Sequence, residues 1–270
     1  DDIEEMEKIF ETRFLQREDD GLNRRAPRIP DPSRSERELF KEDLRLSVTN
    51  YPAWRVTEAP DFMVLDNLPR TSGFVCRLTN ELSVMRAKYR STIPSPLDYS
   101  GSVSTFRIHS SRDGYLDGLS LEGITNIFWS AAYWCQSRRE LAAYMPPEGD
   151  HRLLRTMRHE AFHQYLSYAT SMIPASPWFN EGYAQYFESC GTMTSFDAAE
   201  LAPESTRHLL PALMMMDYEE FSSGSDEERS IKYRLAESIA FFIERVISSA
   251  YIITLPFAFL AALPMVCISE

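Results

Sequence analysis

The spacing of apolar residues changes along the chain, and each change marks an expected boundary. Within residues 1–22, Ile3, Met6, Ile9, Phe10 and Phe14 recur near helical spacing among charged neighbours, which predicts an amphipathic helix. Ala26 to Arg34 (APRIPDPSR) reads as a Pro-rich linker, and a short helix is expected over Ser35 to Ser47. The texture then shifts to shorter periods. Phe62-Met63-Val64-Leu65, bounded by Pro60 and Pro69, predicts a buried strand. Phe74, Val75, Leu78, Leu82, Met85 and Tyr89 predict a helix over Ser72 to Arg90. Val103 to His109 alternates like a strand, Ile124 to Trp134 is rich in β-branched and aromatic residues, and Arg139 to Met145 suits a further strand. After Pro146-Pro147 the pattern turns helical. Asp150 is the expected N-cap of a helix running to Thr170, Pro174 and Pro177 break the chain, and helices are expected at 178–190, 205–217 and 228–248.

The expected fold class is therefore α+β, a small mixed β-sheet layer followed by a helical layer. The expected organisation is a charged helical segment with its linker at 1–50, an α/β sheet subdomain at 51–148, and a helical subdomain at 149–270. No internal repeat or low-complexity tract interrupts it.

Composition narrows the function classes. A chain of 270 residues, 44% apolar and 25% charged, is long enough to bury a sizeable core. The formal net charge of −12 argues against a nucleic-acid partner, which needs clustered Lys and Arg. Arg24-Arg25 and Arg138-Arg139 read as solvated surface. Cys76, Cys135, Cys190 and Cys267 form no CxxC pair, so a cysteine zinc site is unsupported, while disulfide pairing stays open. Asp1-Asp2 opens without an apolar leader, so any signal peptide is expected to have been removed or to lie outside the sequence. Val246 to Ser269 carries no charge and could span a bilayer, but Pro256 and Pro264 interrupt it. The expectation is an apolar end to the core, with a membrane anchor as the alternative.

The chemistry concentrates at His159-Glu160-Ala161-Phe162-His163, an HExxH on the predicted helix. Residues four apart share a helix face, so both imidazoles can meet one metal ion. Catalytic zinc takes three protein ligands, and neutral imidazole is among its preferred donors. Glu160 projects beside that face, where it can take a proton from an attacking water. A second segment, Trp178-Phe179-Asn180-Glu181-Gly182-Tyr183-Ala184-Gln185-Tyr186-Phe187-Glu188, follows a Pro-containing loop. Glu181 at its start can complete a His2Glu set. Glu188, seven residues on, can accept an N–H from a ligating histidine.

Together HEAFH and WFNEGYAQYFE resemble the gluzincin metallopeptidases, whose pattern is HExxH, a spacer, and NEGxAxxxE. Asn180, Glu181, Gly182, Ala184 and Glu188 fall in register with it, and the flavour is that of the bacterial peptidase-MA-like group. The resemblance implies a zincin-like fold, with zinc between a sheet layer and a helical layer. It implies His159, His163 and Glu181 as metal ligands, Glu160 as catalytic base, and Asn180 and Glu188 as supporting residues. Tyr233 begins YRLAESIAFFIER, which is similar to the helix after the family's transition-state tyrosine, and is the candidate donor to an oxyanion. The spacer between His163 and Glu181 is seventeen residues, slightly shorter than in the gluzincin aminopeptidases, and no GAMEN-type segment is visible, so endo- against exo-cleavage stays open.

His109, His151 and His208 have no partner motif and read as structural or surface residues. Met214-Met215-Met216 reads as core filling, and Trp129, Tyr133 and Trp134 as core or cleft lining. The expected function is a Zn2+-dependent peptidase acting on a peptide or protein substrate, in a periplasmic, secreted or cell-envelope setting. A zincin-like scaffold that binds a partner without catalysis is the alternative.

Overall fold

A computed structural model describes residues 34–59, 62–94, 103–121, 131–135, 139–147, 149–170, 173–189 and 204–244. The readings made on the N-terminal helix, the linker before Arg34, Trp129, Cys190 and the apolar tail with Cys267 lie outside these residues. The chain divides into two compact units. One holds the described residues between 34 and 170 together with 183–189, and the other holds 173–182 and 204–244.

The first unit is built on a five-stranded sheet of order β1-β2-β3-β5-β4. Its strands are β1 (Arg55–Ala59), β2 (Phe62–Asp66), β3 (Ser104–His109), β4 (Ala132–Cys135) and β5 (Glu140–Tyr144). The three inner strands are parallel, and the antiparallel β1 and β4 form the two edges. Strand β2 reads as a continuous apolar run because it is buried along its whole length, as expected of a strand covered on both faces. The helices of this unit are α1 (Arg34–Ser47), α2 (Phe74–Thr92), α3 (Arg112–Leu121) and α4 (Asp150–Ala169).

Side chains alternate across the sheet, so its register sorts them into two faces. One face carries Phe106, Ile108, Leu141, Ala143, Ala132 and Trp134. Helices α2 and α4 cover it: the Arg86 guanidinium of α2 lies 5.7 Å from the Phe62 ring, and Trp134 meets Tyr168 of α4 at 5.8 Å. The other face carries Arg107, His109, Ala142, Tyr144 and Tyr133, against which α3 packs Tyr115 and Leu119.

Helix α4 carries the HExxH motif, and it is pinned at several points. Phe162 on it is fully buried, a burial worth about 1.5–3 kcal/mol. The Tyr165 hydroxyl donates to the Ile93 carbonyl at 2.6 Å, and the Tyr89 hydroxyl to the Arg158 carbonyl at 2.8 Å. Its N-cap is Gly149, with no side-chain cap. Asp150, expected as the cap, lies instead inside the first turn, where its charge suits the helix dipole and pairs with Arg77.

The second unit contains the first half of α5 (Pro177–Glu188), then α6 (Glu204–Arg207), α7 (Leu210–Met215), α8 (Tyr218–Ser222) and α9 (Asp226–Phe242). The single helix expected over 205–217 is two short ones. The helix stops at His208-Leu209 and restarts with Pro211 in its first turn, where a proline's missing N–H costs nothing. The helix expected from residue 228 begins at Asp226, because Ser225 and Glu228 form a reciprocal capping box. Gly182 explains itself here: a Cβ added to it would lie 2.4 Å from the Ala236 carbonyl oxygen of α9. Among the described residues no helix is long and apolar enough to cross a membrane.

Candidate metal centre

His159 and His163 sit one turn apart on α4, with ring centroids 4.8 Å apart and planes at 82°. With Glu160 they offer two imidazole nitrogens and a carboxylate oxygen, all within 4.8 Å of one another. All three side chains are half-buried. The i, i+4 spacing read from the sequence thus brings both histidines to one face, and the donor set suits an ion that takes nitrogen and carboxylate ligands.

Two further contacts orient this group. Glu160 Oε2 accepts the Trp134 backbone N–H of edge strand β4 at 3.0 Å. The Trp134 indole N–H in turn donates to Ser167 Oγ on α4 at 3.1 Å. One carboxylate oxygen of Glu160 is therefore tied to the sheet edge. Burial raises the Tyr115 phenol well above its ordinary range, and the Glu160 charge raises it further.

His159 Nδ1 lies 3.3 Å from Glu188 Oε2. A carboxylate beside that nitrogen favours the tautomer with its proton on Nδ1, in which the Nε2 lone pair is available. Burial works to raise the Glu188 carboxyl, but contact with His159 and the charges of Arg155 and Arg158 outweigh it, so the net shift is downward. The contact exists because the second half of α5 is packed on α4. Phe162 stacks on Tyr183 at 6.0 Å and meets Phe187 at 5.2 Å, while Phe187 meets Tyr89 at 4.7 Å. Arg158 also donates twice to the Glu188 carbonyl, at 3.0 and 2.8 Å, closing the C-terminal end of α5.

The remaining candidates fall as follows. Asn180 and Glu181 occupy the first turns of α5, and Glu181 is half-buried. Asn180 Nδ2 donates to the Tyr218 hydroxyl of α8. Tyr233 lies on α9 one turn before Ala236, with its ring 5.0 Å from Phe221. His109 is buried, and His151 and His208 are exposed. In the methionine run Met215 is 39% exposed, so the neighbouring Leu213 fills that part of the core instead. Cys76, exposed, and Cys135, half-buried, are in no disulfide.

Sequence reasoning passed over three contributors. The Trp134 N–H is a backbone group and leaves no residue signature. Arg158 and Arg155 lie one and four residues before the motif and look like surface charges in the sequence. Tyr218 belongs to no motif and is found only through its contact with Asn180. Compared with protein-family models, the chain matches none, and a search of curated proteins returns no match.

Proposed function

We propose that the chain is a zinc-dependent metallopeptidase. The observation that carries this reading is the His159–Glu160–His163 group, with two imidazoles on one helix face and a carboxylate beside them. His159 and His163 would hold the ion, and Glu181 is the third donor that the NEGxA resemblance supplies. When bound, zinc supplies a Lewis acid that polarises a carbonyl and makes a water acidic.

The chain's own residues account for the rest. Glu160 takes the proton of the attacking water and delivers it to the leaving nitrogen. The Trp134 N–H holds one of its carboxylate oxygens at the sheet edge. Glu188 holds His159 in the tautomer that frees Nε2. Tyr233 is the donor to the oxygen gaining charge that the resemblance supplies. The zincin-like form of the α+β fold belongs to the same proposal. Its supports are a sheet with an edge strand, β4, packed beside the helix that carries HExxH.

Hydrolysis of a mixed peptide library by the zinc-loaded protein tests the reading. Glu160→Gln is expected to retain zinc and to lose about 10²–10⁴-fold in rate, the span of a lost general base. A library left intact by the zinc-loaded parent would refute the peptidase assignment. Loss of zinc together with rate in Glu160→Gln would refute the role given to Glu160.

A further inference from the structure

The C-terminal end of α5 is held by a chain of contacts that neither HExxH nor NEGxA contains. Its residues, Glu81, Arg155, Arg158, His159 and Glu188, all belong to the first unit. On α4, Arg155, Arg158 and His159 fall at i, i+3 and i+4, so they share one face. That face receives Glu188, the last residue of α5.

Glu188 is gripped at both its backbone and its side chain. Its carbonyl lies in the last turn, where no N–H of the helix is left to meet it. Arg158 fills that gap with two donors, Nε at 3.0 Å and Nη2 at 2.8 Å. The Glu188 carboxylate divides between two partners: Oε1 lies 3.2 Å from Arg155 Nη2, and Oε2 lies 3.3 Å from His159 Nδ1. The Arg158 guanidinium is itself fixed from the other side, where Nη1 donates to Glu81 Oε1 on α2.

The two arginines are not equivalent. The Arg155 side chain is 51% exposed, and an ion pair in water holds little. The Arg158 side chain is 12% exposed and that of Glu81 27%, so both stand largely out of water, where a charge must keep its partner. A planar fork that donates from three nitrogens to two acceptors also sets a direction, which an ammonium does not. With its carbonyl pinned, the end of α5 is kept from fraying, and only the Glu188 side-chain torsions are left to settle.

We infer that Glu81 and Arg158 are positioning residues: their pair fixes the end of α5 so that the Glu188 carboxylate stands behind Nδ1 of His159. The inference rests on the zinc reading above, in which His159 is a ligand. It extends the support of that ligand through Glu188 and Arg158 to Glu81, and so to a helix that carries no part of the motif.

Zinc affinity of the full chain, measured by competition with a chromogenic chelator in a double-mutant cycle, tests this without any substrate. Arg158→Lys keeps the charge and removes the fork. It is expected to weaken zinc about 10-fold, the lower end of what an outer partner contributes. In Glu188→Ala the carboxylate to be positioned is gone, so adding Arg158→Lys should change the affinity by less than about twofold. A clamp that merely joins two helices would weaken zinc by the same factor in both backgrounds. That result, or an Arg158→Lys protein that binds zinc as tightly as the parent, overturns the inference and leaves the zinc reading standing. A parent that binds no zinc overturns both. Should far-ultraviolet circular dichroism show that Arg158→Lys folds poorly, Glu81→Gln takes its place in the same cycle. A penalty that is equal with and without the Glu188 carboxylate, or absent from both, then counts against the inference.

Discussion

The two faces of the sheet both carry histidine away from bulk water, and they do so for opposite ends. On the α3 face, His109 is 7% exposed, set edge-on against Trp54 at 5.0 Å and Tyr115 at 6.0 Å. Gly114 and Gly118 let α3 approach it: a Cβ on Gly118 would lie 3.4 Å from the ring. Its neighbours are already paired. Arg107 forks onto Glu140 through Nε–Oε1 at 2.8 Å and Nη2–Oε2 at 2.9 Å, under the Trp54 ring. On the α4 face, His159 and His163 stand with Glu160 in a half-buried group whose ligand atoms converge. The contrast teaches how a core histidine differs from a pair proposed as metal ligands. The first is single, desolvated and walled by rings. The second is paired at helical spacing, with a carboxylate on its rear nitrogen.

The largest effect that would sharpen this contrast is on the α3 face. Glu140→Ala leaves the Arg107 charge buried and unpaired, and is expected to cost about 3–5 kcal/mol of stability, read from the urea midpoint. Zinc affinity of the folded fraction should not change. A variant that keeps its stability but binds zinc more weakly would break the division between the faces.

The next concerns His109. Burial foremost, and then the Arg107 charge, hold its pKa down to about 4, with Glu140 opposing. The unfolded chain's histidine titrates near 6.5, so the fold favours the neutral ring. That stability is present above about pH 6.5 and is lost as pH falls through about 4, by up to about 3 kcal/mol. The melting temperature of the parent should fall more steeply between pH 7 and 4 than that of His109→Gln. Parallel curves would contradict the assignment.

The smallest effect belongs to the α4 face. Glu188→Ala removes the carboxylate behind His159 and is expected to cost about 10–100-fold in zinc affinity, measured by chelator competition, with little change in stability. An unchanged affinity would mean that the 3.3 Å contact does not orient the ring.

What was legible in the sequence follows the same physics. The HExxH face could be read because helical spacing alone puts His159 and His163 together. Strands β2, β3 and β5 could be read because burial on both faces leaves apolar or alternating runs. Helix α3 was not foreseen, since Gly114 and Gly118 lower its propensity for the sake of approaching His109, a tertiary reason. Strand β1 was missed because Arg55-Val56-Thr57-Glu58-Ala59 is an edge with half-exposed side chains and little apolar content. The Trp134 N–H and Tyr218 act through contacts made only in three dimensions, so residue type and spacing could not show them.

The central claim is that His159 and His163 are a pair of metal ligands. Elemental analysis of the purified chain, grown in zinc-replete medium, tests it most directly, with His163→Ala prepared alongside. The account predicts about one zinc per parent chain, as one three-ligand site requires, and almost none in the variant. A parent without zinc, or a variant that holds as much as the parent, would contradict it.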